Sequence, residues 1–233
     1  MQRVVALIDG FNFYHPIHNH QQQRKTCLQW LNYPALLRYY LSQLPPHLTG
    51  SLEQVIFFSA LAKHRNTFAP NTTQRHLTYI NALKSVGVEV ILGTFKKKHK
   101  TLRQLCQQST NPNQPCVLPL ITHEEKETDV RIACKLLELA VQDAFDTCLL
   151  LSADSDLIPA VETLKHLYPA KRVILVTPPS KAKVVGLERL CEYRISVGVK
   201  HLQQHQLPNT IQQANGYVLQ NPWQGIASPS PSP

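Results

Sequence analysis

The sequence predicts an α/β fold, a central and mostly parallel sheet layered between helices, and three observations predict it. Short, nearly continuous apolar runs recur along the chain, among them Val4–Ile8, Val55–Phe58 and Leu149–Leu151, as strands buried on both faces require. Stretches with apolar residues at helical spacing separate them, the βαβα order of a sheet covered on both sides. Acids follow two of the runs at once: Asp9 after the first, and Asp154 with Asp156 after Leu149-Leu150-Leu151-Ser152-Ala153. In an open parallel sheet the carboxyl ends of strands form the crevice where ligands bind, so acids placed there converge.

Arg3 to Ile8 reads as the first strand, with Asp9-Gly10-Phe11-Asn12 as a turn after it. Tyr33 to Leu44 carries a helical pattern that stops at Pro45-Pro46, since proline cannot continue a helix. Glu53 to Ala60 is the second strand, and Pro70 to Val86 a helix opened by Pro70 and Asn71 and closed by Gly87. Val88 to Leu92 is the third strand. Residues 94–123 look like a polar, basic insertion in which Asn111-Pro112-Asn113 and Pro115 break any regular element. A long helix from about Glu125 to Gln142 follows, with Val130, Ala133, Leu137, Ala140 and Val141 as its core-facing stripe. Strands at Thr147 to Leu151 and Arg172 to Thr177 alternate with helices at Asp156 to Leu167 and near Lys181 to Leu190. From about Leu202 the chain is Gln-rich and broken by proline. The expected organisation is one domain over residues 1–201 and a disordered tail over 202–233.

At 233 residues and 43% hydrophobic content, the chain can bury the core of one domain. No run of ~18 apolar residues is present, and the apolar start is cut off by Asp9 before it reaches signal-peptide length. A soluble, cytoplasmic protein without membrane contact is expected. The six cysteines are widely spaced, and Cys134 and Cys148 fall inside apolar patterns, which suits reduced thiols. Between Gly10 and His123 the only acids are Glu53 and Glu89, against twelve Lys or Arg. With a net charge of +9, this half of the chain favours a polyanionic partner such as nucleic acid. Lys96, Lys97, Lys98, Lys100 and Arg103 form its densest cluster, readable either as a solvated loop or as a backbone contact.

Asp129 is the fourth acid of interest, in the first turn of its helix. Ile132, Ala133 and Leu136 follow it at i+3, i+4 and i+7, so it leans toward the buried side, where a carboxylate needs compensation. Each acid has an ordinary explanation as a turn residue, a helix cap or a first-turn acid. Their conjunction at strand ends is what points to a site. Clustered carboxylates repel unless a hard cation neutralises them, and oxygen ligands alone favour Mg²⁺ or Mn²⁺ over zinc. One or two such cations would assist attack of water on a phosphodiester. Asp9, Asp129, Asp154 and Asp156 are the candidate ligands and catalytic acids. Asn12 is a candidate neutral oxygen or phosphate contact, Ser152 a partner for a carboxylate or the substrate, and Lys126 a phosphate contact. Local capping explains Asn12 and Ser152 equally well.

Three ordered blocks carry a resemblance: Val5-Ala6-Leu7-Ile8-Asp9-Gly10-Phe11-Asn12-Phe13-Tyr14, Glu124-Glu125-Lys126-Glu127-Thr128-Asp129-Val130, and Leu151-Ser152-Ala153-Asp154-Ser155-Asp156-Leu157-Ile158-Pro159. Together they resemble the NYN domain, in its LabA-like branch, of the PIN-like nuclease superfamily. The resemblance implies a PIN-like, Rossmann-like three-layer sandwich and a Mg²⁺ or Mn²⁺ site. It maps the metal acids onto Asp9, Asp129 and Asp154, with Asp156 as an additional acid and Asn12 at the polar position after the first strand. It also implies a ribonuclease, with RNA as partner and a homodimer left open. Relatives carry cysteine pairs before the Lys-x-x-Asp block, where this chain has only Cys106 and Cys116. With His99 and His123 these are candidates for zinc, at irregular spacing.

Two other enzyme classes are excluded. A haloacid-dehalogenase-type phosphatase needs a second aspartate two positions after the first, where Phe11 stands. A dinucleotide-binding domain needs a glycine-rich first turn, which Asp9-Gly10-Phe11-Asn12 lacks. The remaining rival is a catalytically weak RNA-binding or scaffold protein that keeps the fold.

Overall fold

The computed structural model describes residues 2–24, 27–64, 70–105, 115–179, 184–213 and 216–224, with the side chains of 22–24, 100–105 and 115–120 left aside. The chain runs β1 (Arg3–Asp9), α1 (Gly10–Arg24), α2 (Tyr33–Ser42), β2 (Ser51–Ala60), α3 (Thr72–Ser85), β3 (Val88–Leu105), β4 (Pro115–Lys126) and α4 (Thr128–Val141). It continues through β5 (Thr147–Leu151), a 3₁₀ turn (Ser155–Leu157), α5 (Ile158–Leu167), β6 (Arg172–Thr177), α6 (Val185–Leu190), β7 (Tyr193–Ser196), α7 (Val199–Gln204), β8 (Thr210–Gln212) and β9 (Val218–Gln220).

Seven strands form one sheet in the order β4-β3-β2-β1-β5-β6-β7, parallel except for the β3–β4 pair. The expected three-layer α/β architecture follows from the alternation of side chains along each strand. Val4, Ala6 and Ile8 of β1 join a core with Phe13 and Ile17 of α1, Leu36 and Leu37 of α2, and Leu83 of α3. Val5 and Leu7 face the other way, into a second core with Ile132, Leu136 and Leu139 of α4 and Val161 and Leu164 of α5. Both faces of the central strands are therefore dry, which explains their uninterrupted apolar runs. Among the described residues, no helix is long and apolar enough to cross a membrane.

The order places β1 at the point where the sheet's winding reverses, with β2 on one side and β5 on the other. In such sheets the crevice opens at the carboxyl ends beside that point. Asp9 is the last residue of β1, and Ser152 directly follows β5.

The structure departs from the sequence expectations in four places. The expected turn at Asp9–Asn12 is the start of a 15-residue helix, α1. Its polar composition and internal Pro16 disguise it, because after Gly10 only Phe13 and Ile17 are buried among its described side chains. The basic insertion at 94–123 is regular over its described residues: β3 and β4 pair from Thr94↔Lys126 to Leu105↔Pro115. Among the described residues, Lys96, Lys97, Lys98, His99 and Ile121 are exposed, without the buried face that gives a strand its alternating pattern, and Pro115 sits at the first position of its strand, where proline is tolerated. Residues 111–113 lie outside the described residues.

On α4, Val130 and Val141 are exposed. Its buried side is Thr128, Ile132, Leu136, Leu139 and Ala140, so the helix is rotated from the expected stripe. It also begins at Thr128, because Glu125 and Lys126 still belong to β4. Lastly, residues 202–224, expected in a disordered tail, carry part of α7 and the antiparallel pair β8–β9. Leu202, Leu207 and Leu219 are buried, and Trp223 packs against Trp30 and Tyr79 at ring-centroid distances of 6.1 and 5.8 Å. A few well-spaced apolar anchors outweigh a polar composition there. Residues 225–233 lie outside the described residues.

Candidate metal centre at the sheet switch point

Asp9 leaves β1 and the chain turns at once into α1, a step that only glycine permits. A Cβ on Gly10 would stand 2.5 Å from Phe57 Cζ and 2.6 Å from the Phe58 carbonyl oxygen. The Asn12 backbone N–H donates to Asp9 Oδ1 at 3.0 Å, so Asp9 caps the helix it precedes. The Ser152 hydroxyl donates to Asp9 Oδ2 at 3.1 Å. The same hydroxyl accepts from the Asp154 backbone N–H at 3.1 Å, and Asn12 Oδ1 accepts from the Ala153 backbone N–H at 3.0 Å. These bonds lock the end of β1, the first turn of α1 and the loop after β5 into one unit. Asp154 is held in turn, accepting from the Asp156 N–H at 3.0 Å.

Asp129 arrives from the opposite side, on the first turn of α4. That start is fixed by Glu125, whose carboxylate accepts from the Thr128 N–H at 3.2 Å and from the Thr128 hydroxyl. Gly93 on β3 makes room: a Cβ there would stand 2.8 Å from the Lys126 carbonyl oxygen and 2.9 Å from Glu125 Oε1.

Asp9, Asp129 and Asp154 each present a carboxylate oxygen, all within 4.8 Å of one another. Among the described residues this is the one group of three or more potential ligands. Asp9 is only 4% exposed, and burial pushes its carboxyl up to about 6, against the two hydrogen bonds and with further upward pressure from Asp129 and Asp154. Burial also raises Asp129, helped by the charges of Asp154, Glu125 and Asp156. The two bonds to Asp9 leave lone pairs on both of its oxygens. A cluster of hard oxygen donors under mutual repulsion suits a divalent cation of the Mg²⁺ or Mn²⁺ type.

The cluster lies in an open cavity of about 660 Å³. Beyond the acids, its walls are Phe11, Asn12, His15, Pro16, Asn19 and His20 of α1 and Glu125 and Thr128 at the start of α4. Glu125, Thr128 and the α1 residues other than Asn12 were not among the expected site residues. Positions 12, 15, 16 and 19 share a helical face, a signal legible once 10–24 is read as helix.

The other expected residues distribute as follows. Asp156 is exposed and stands outside both the close trio and the cavity lining. Ser152 is fully buried, and its hydroxyl bonds the Asp9 carboxylate and the Asp154 backbone N–H, which matches the carboxylate-partner expectation. Asn12 bridges two loops through its side chain and lines the cavity. Lys126 ion-pairs with Glu124 at 3.2 Å, and Lys98 with the same carboxylate at 2.6 Å. Lys96, Lys97 and Lys98 are exposed on β3, along the β3–β4 ribbon rather than in the cavity. Lys100 and Arg103 belong to β3 by backbone, with side chains outside the description. Cys106, one of the candidates for zinc, lies outside the described residues, as does the side chain of Cys116.

Ser152→Ala is expected to lower stability by about 1–3 kcal/mol, because it leaves a buried carboxylate and a backbone donor short of a partner. Urea denaturation at neutral pH measures this loss; an unchanged midpoint would show that the hydroxyl does not hold the site together.

The NYN domain family matches residues 3–198 of the chain. No curated protein matches the sequence. A solved structure of a protein of unknown function from Vibrio parahaemolyticus is similar over 84% of this chain and 93% of that one, at 19% identity and a TM-score of 0.50, a likeness of fold alone.

Proposed function

We propose, given that the chain belongs to the NYN domain family, that it is a metal-dependent ribonuclease of the LabA-like branch. It hydrolyses RNA phosphodiester bonds at Asp9, Asp129 and Asp154. NYN domains are in general nucleases, and the observation that supports the reading here is the meeting of three carboxylates, from three separate elements, within 4.8 Å. Asp9, Asp129 and Asp154 would hold Mg²⁺ or Mn²⁺, with Asp156 as an additional acid. When bound, such a cation neutralises the scissile phosphate and lowers the pKa of an attacking water.

The chain's own residues supply the rest. Asn12 and Ser152 orient Asp9 and Asp154 through the bonds that join β1, α1 and the loop after β5. Burial keeps bulk water from Asp9 and strengthens its pull on a cation. The cationic ribbon, with Lys96, Lys97, Lys98, Lys100 and Arg103, offsets the charge of the RNA backbone as it approaches the acids. A net charge of +9 favours that approach at low salt.

Purified protein is expected to cleave RNA when Mn²⁺ or Mg²⁺ is supplied and to stop when EDTA is added in excess. Gel analysis of a labelled strand measures it. Tight RNA binding without cleavage under any divalent cation would replace this reading with that of an RNA-binding scaffold. Cleavage unaffected by chelation would sink the metal assignment.

A further inference from the structure

The β3–β4 ribbon has two faces of different character. Its register pairs Phe95 with Glu125, Lys97 with His123 and His99 with Ile121, and directly opposed residues share a face. That face opens into the acid cavity, because Glu125 lines the cavity and Phe11 stands beside it. The Phe11 and Phe95 rings meet edge to face at 5.8 Å. His64 meets Phe95 at 4.9 Å and lies parallel to His123 at 4.0 Å, while His15 stacks with Phe11 at 6.4 Å. Five rings thus run from the α1 wall of the cavity onto the first rungs of the ribbon. Phe11 and Phe95 are half-buried, and Lys97 and His99 are exposed further along the same face. On the opposite face, Glu124 pairs with Lys98 and Lys126, which reduces the positive charge there.

We propose that this face is a track for single-stranded nucleic acid, in which bases stack on Phe11 and Phe95 while the backbone follows Lys97 and His99 toward the acid cluster. The proposal rests on the nuclease reading and narrows its substrate. Unstacked bases present π-faces that rings accept regardless of sequence. In a duplex those faces are occupied by neighbouring bases, so the rings have nothing to grip. Positive charge beside the rings supplies the phosphate contact that stacking lacks.

The test uses the full chain with a fluorescent RNA strand of about 12 nucleotides, in EDTA so that nothing is cleaved, and reads binding by anisotropy. The single strand is expected to bind at least roughly tenfold more tightly than a blunt duplex of the same sequence. Phe95→Leu and Phe11→Leu are each expected to weaken single-strand binding roughly 5- to 100-fold, and Phe95→Tyr to retain it. Lys97→Gln is expected to reduce the slope of log affinity against log salt by about 0.7. Circular dichroism of each variant separates lost binding from lost fold, and the two Leu variants lie on different elements. Equal affinity for duplex and single strand would overturn the track, as would Leu variants that fold and bind like the parent. The two readings fail separately: ring-dependent binding without metal-dependent cleavage removes the nuclease and keeps the track, and ring-independent binding with cleavage does the reverse.

Discussion

Asp9→Asn is expected to lower RNA cleavage by roughly a thousandfold while raising the melting temperature at neutral pH. The two effects have one cause. Asp9 is a nearly fully buried carboxylate beside two others, and its charge is the feature that would hold a cation and that strains the fold without one. The amide keeps the acceptor that Asn12 N–H uses and turns a donor toward Ser152. It removes the desolvation and the repulsion that lift the carboxyl from 3.8 to about 6. That gap is worth up to roughly 3 kcal/mol, or several degrees for a chain of this size. At pH 4 the parent is itself largely protonated at Asp9, so the variant should gain nothing there. Asp154→Asn should lose cleavage to a similar degree, with a smaller gain in stability because Asp154 is less buried. Cleavage surviving both substitutions would dismiss these acids as the site. A lower melting temperature for folded Asp9→Asn would show that the carboxylate is stabilising as it stands.

In cation-free buffer the stability of the parent should fall as the pH rises from about 4 to about 6. Across that interval the folded chain holds a proton on Asp9, whose carboxyl is raised to about 6, that the unfolded chain has released. Deprotonation therefore favours unfolding, and the upward shift of Asp129 acts in the same sense. Asp146, held down to about 2 by its bonds to Arg3, acts oppositely, and its contribution is lost as the pH falls below about 4. The two windows scarcely overlap, so a melting curve taken at each half-unit of pH separates them. Mn²⁺ or Mg²⁺ at a hundred times its dissociation constant should return about 2.7 kcal/mol at pH 7.5. The same addition should return little at pH 4, where protons compete for Asp9. A cation effect independent of pH, or one retained in Asp129→Asn, would place the ion elsewhere.

The alternation of buried strands, the acids at their carboxyl ends and the cationic first half were legible in the residues, because each follows from short-range rules of burial and charge. β5 and β6 match their expected bounds, since strands dry on both faces leave an apolar run with sharp ends. Even the competing explanations proved compatible, as Asp9 and Asp154 both cap the turns they precede and also share the cluster.

What stayed hidden depended on partners distant in sequence. The ribbon of β3 and β4 is joined by pairing along its length, and β3 carries Lys96, Lys97 and Lys98, where a core strand carries valines. Helix α1 is read as a helix only when its few apolar residues are seen against the sheet, and with it went His15 and Asn19 on the cavity wall. The rotation of α4, which exposes Val130 and buries Thr128, is set by how the helix meets the sheet. Sequence determined that acids stand at two strand ends and at a helix start, and that the first half of the chain is strongly cationic. Tertiary structure decided which oxygens meet, that the Ser152 hydroxyl bonds the Asp9 carboxylate, and that a face of rings leads to them, because those relations exist only once distant segments are packed together.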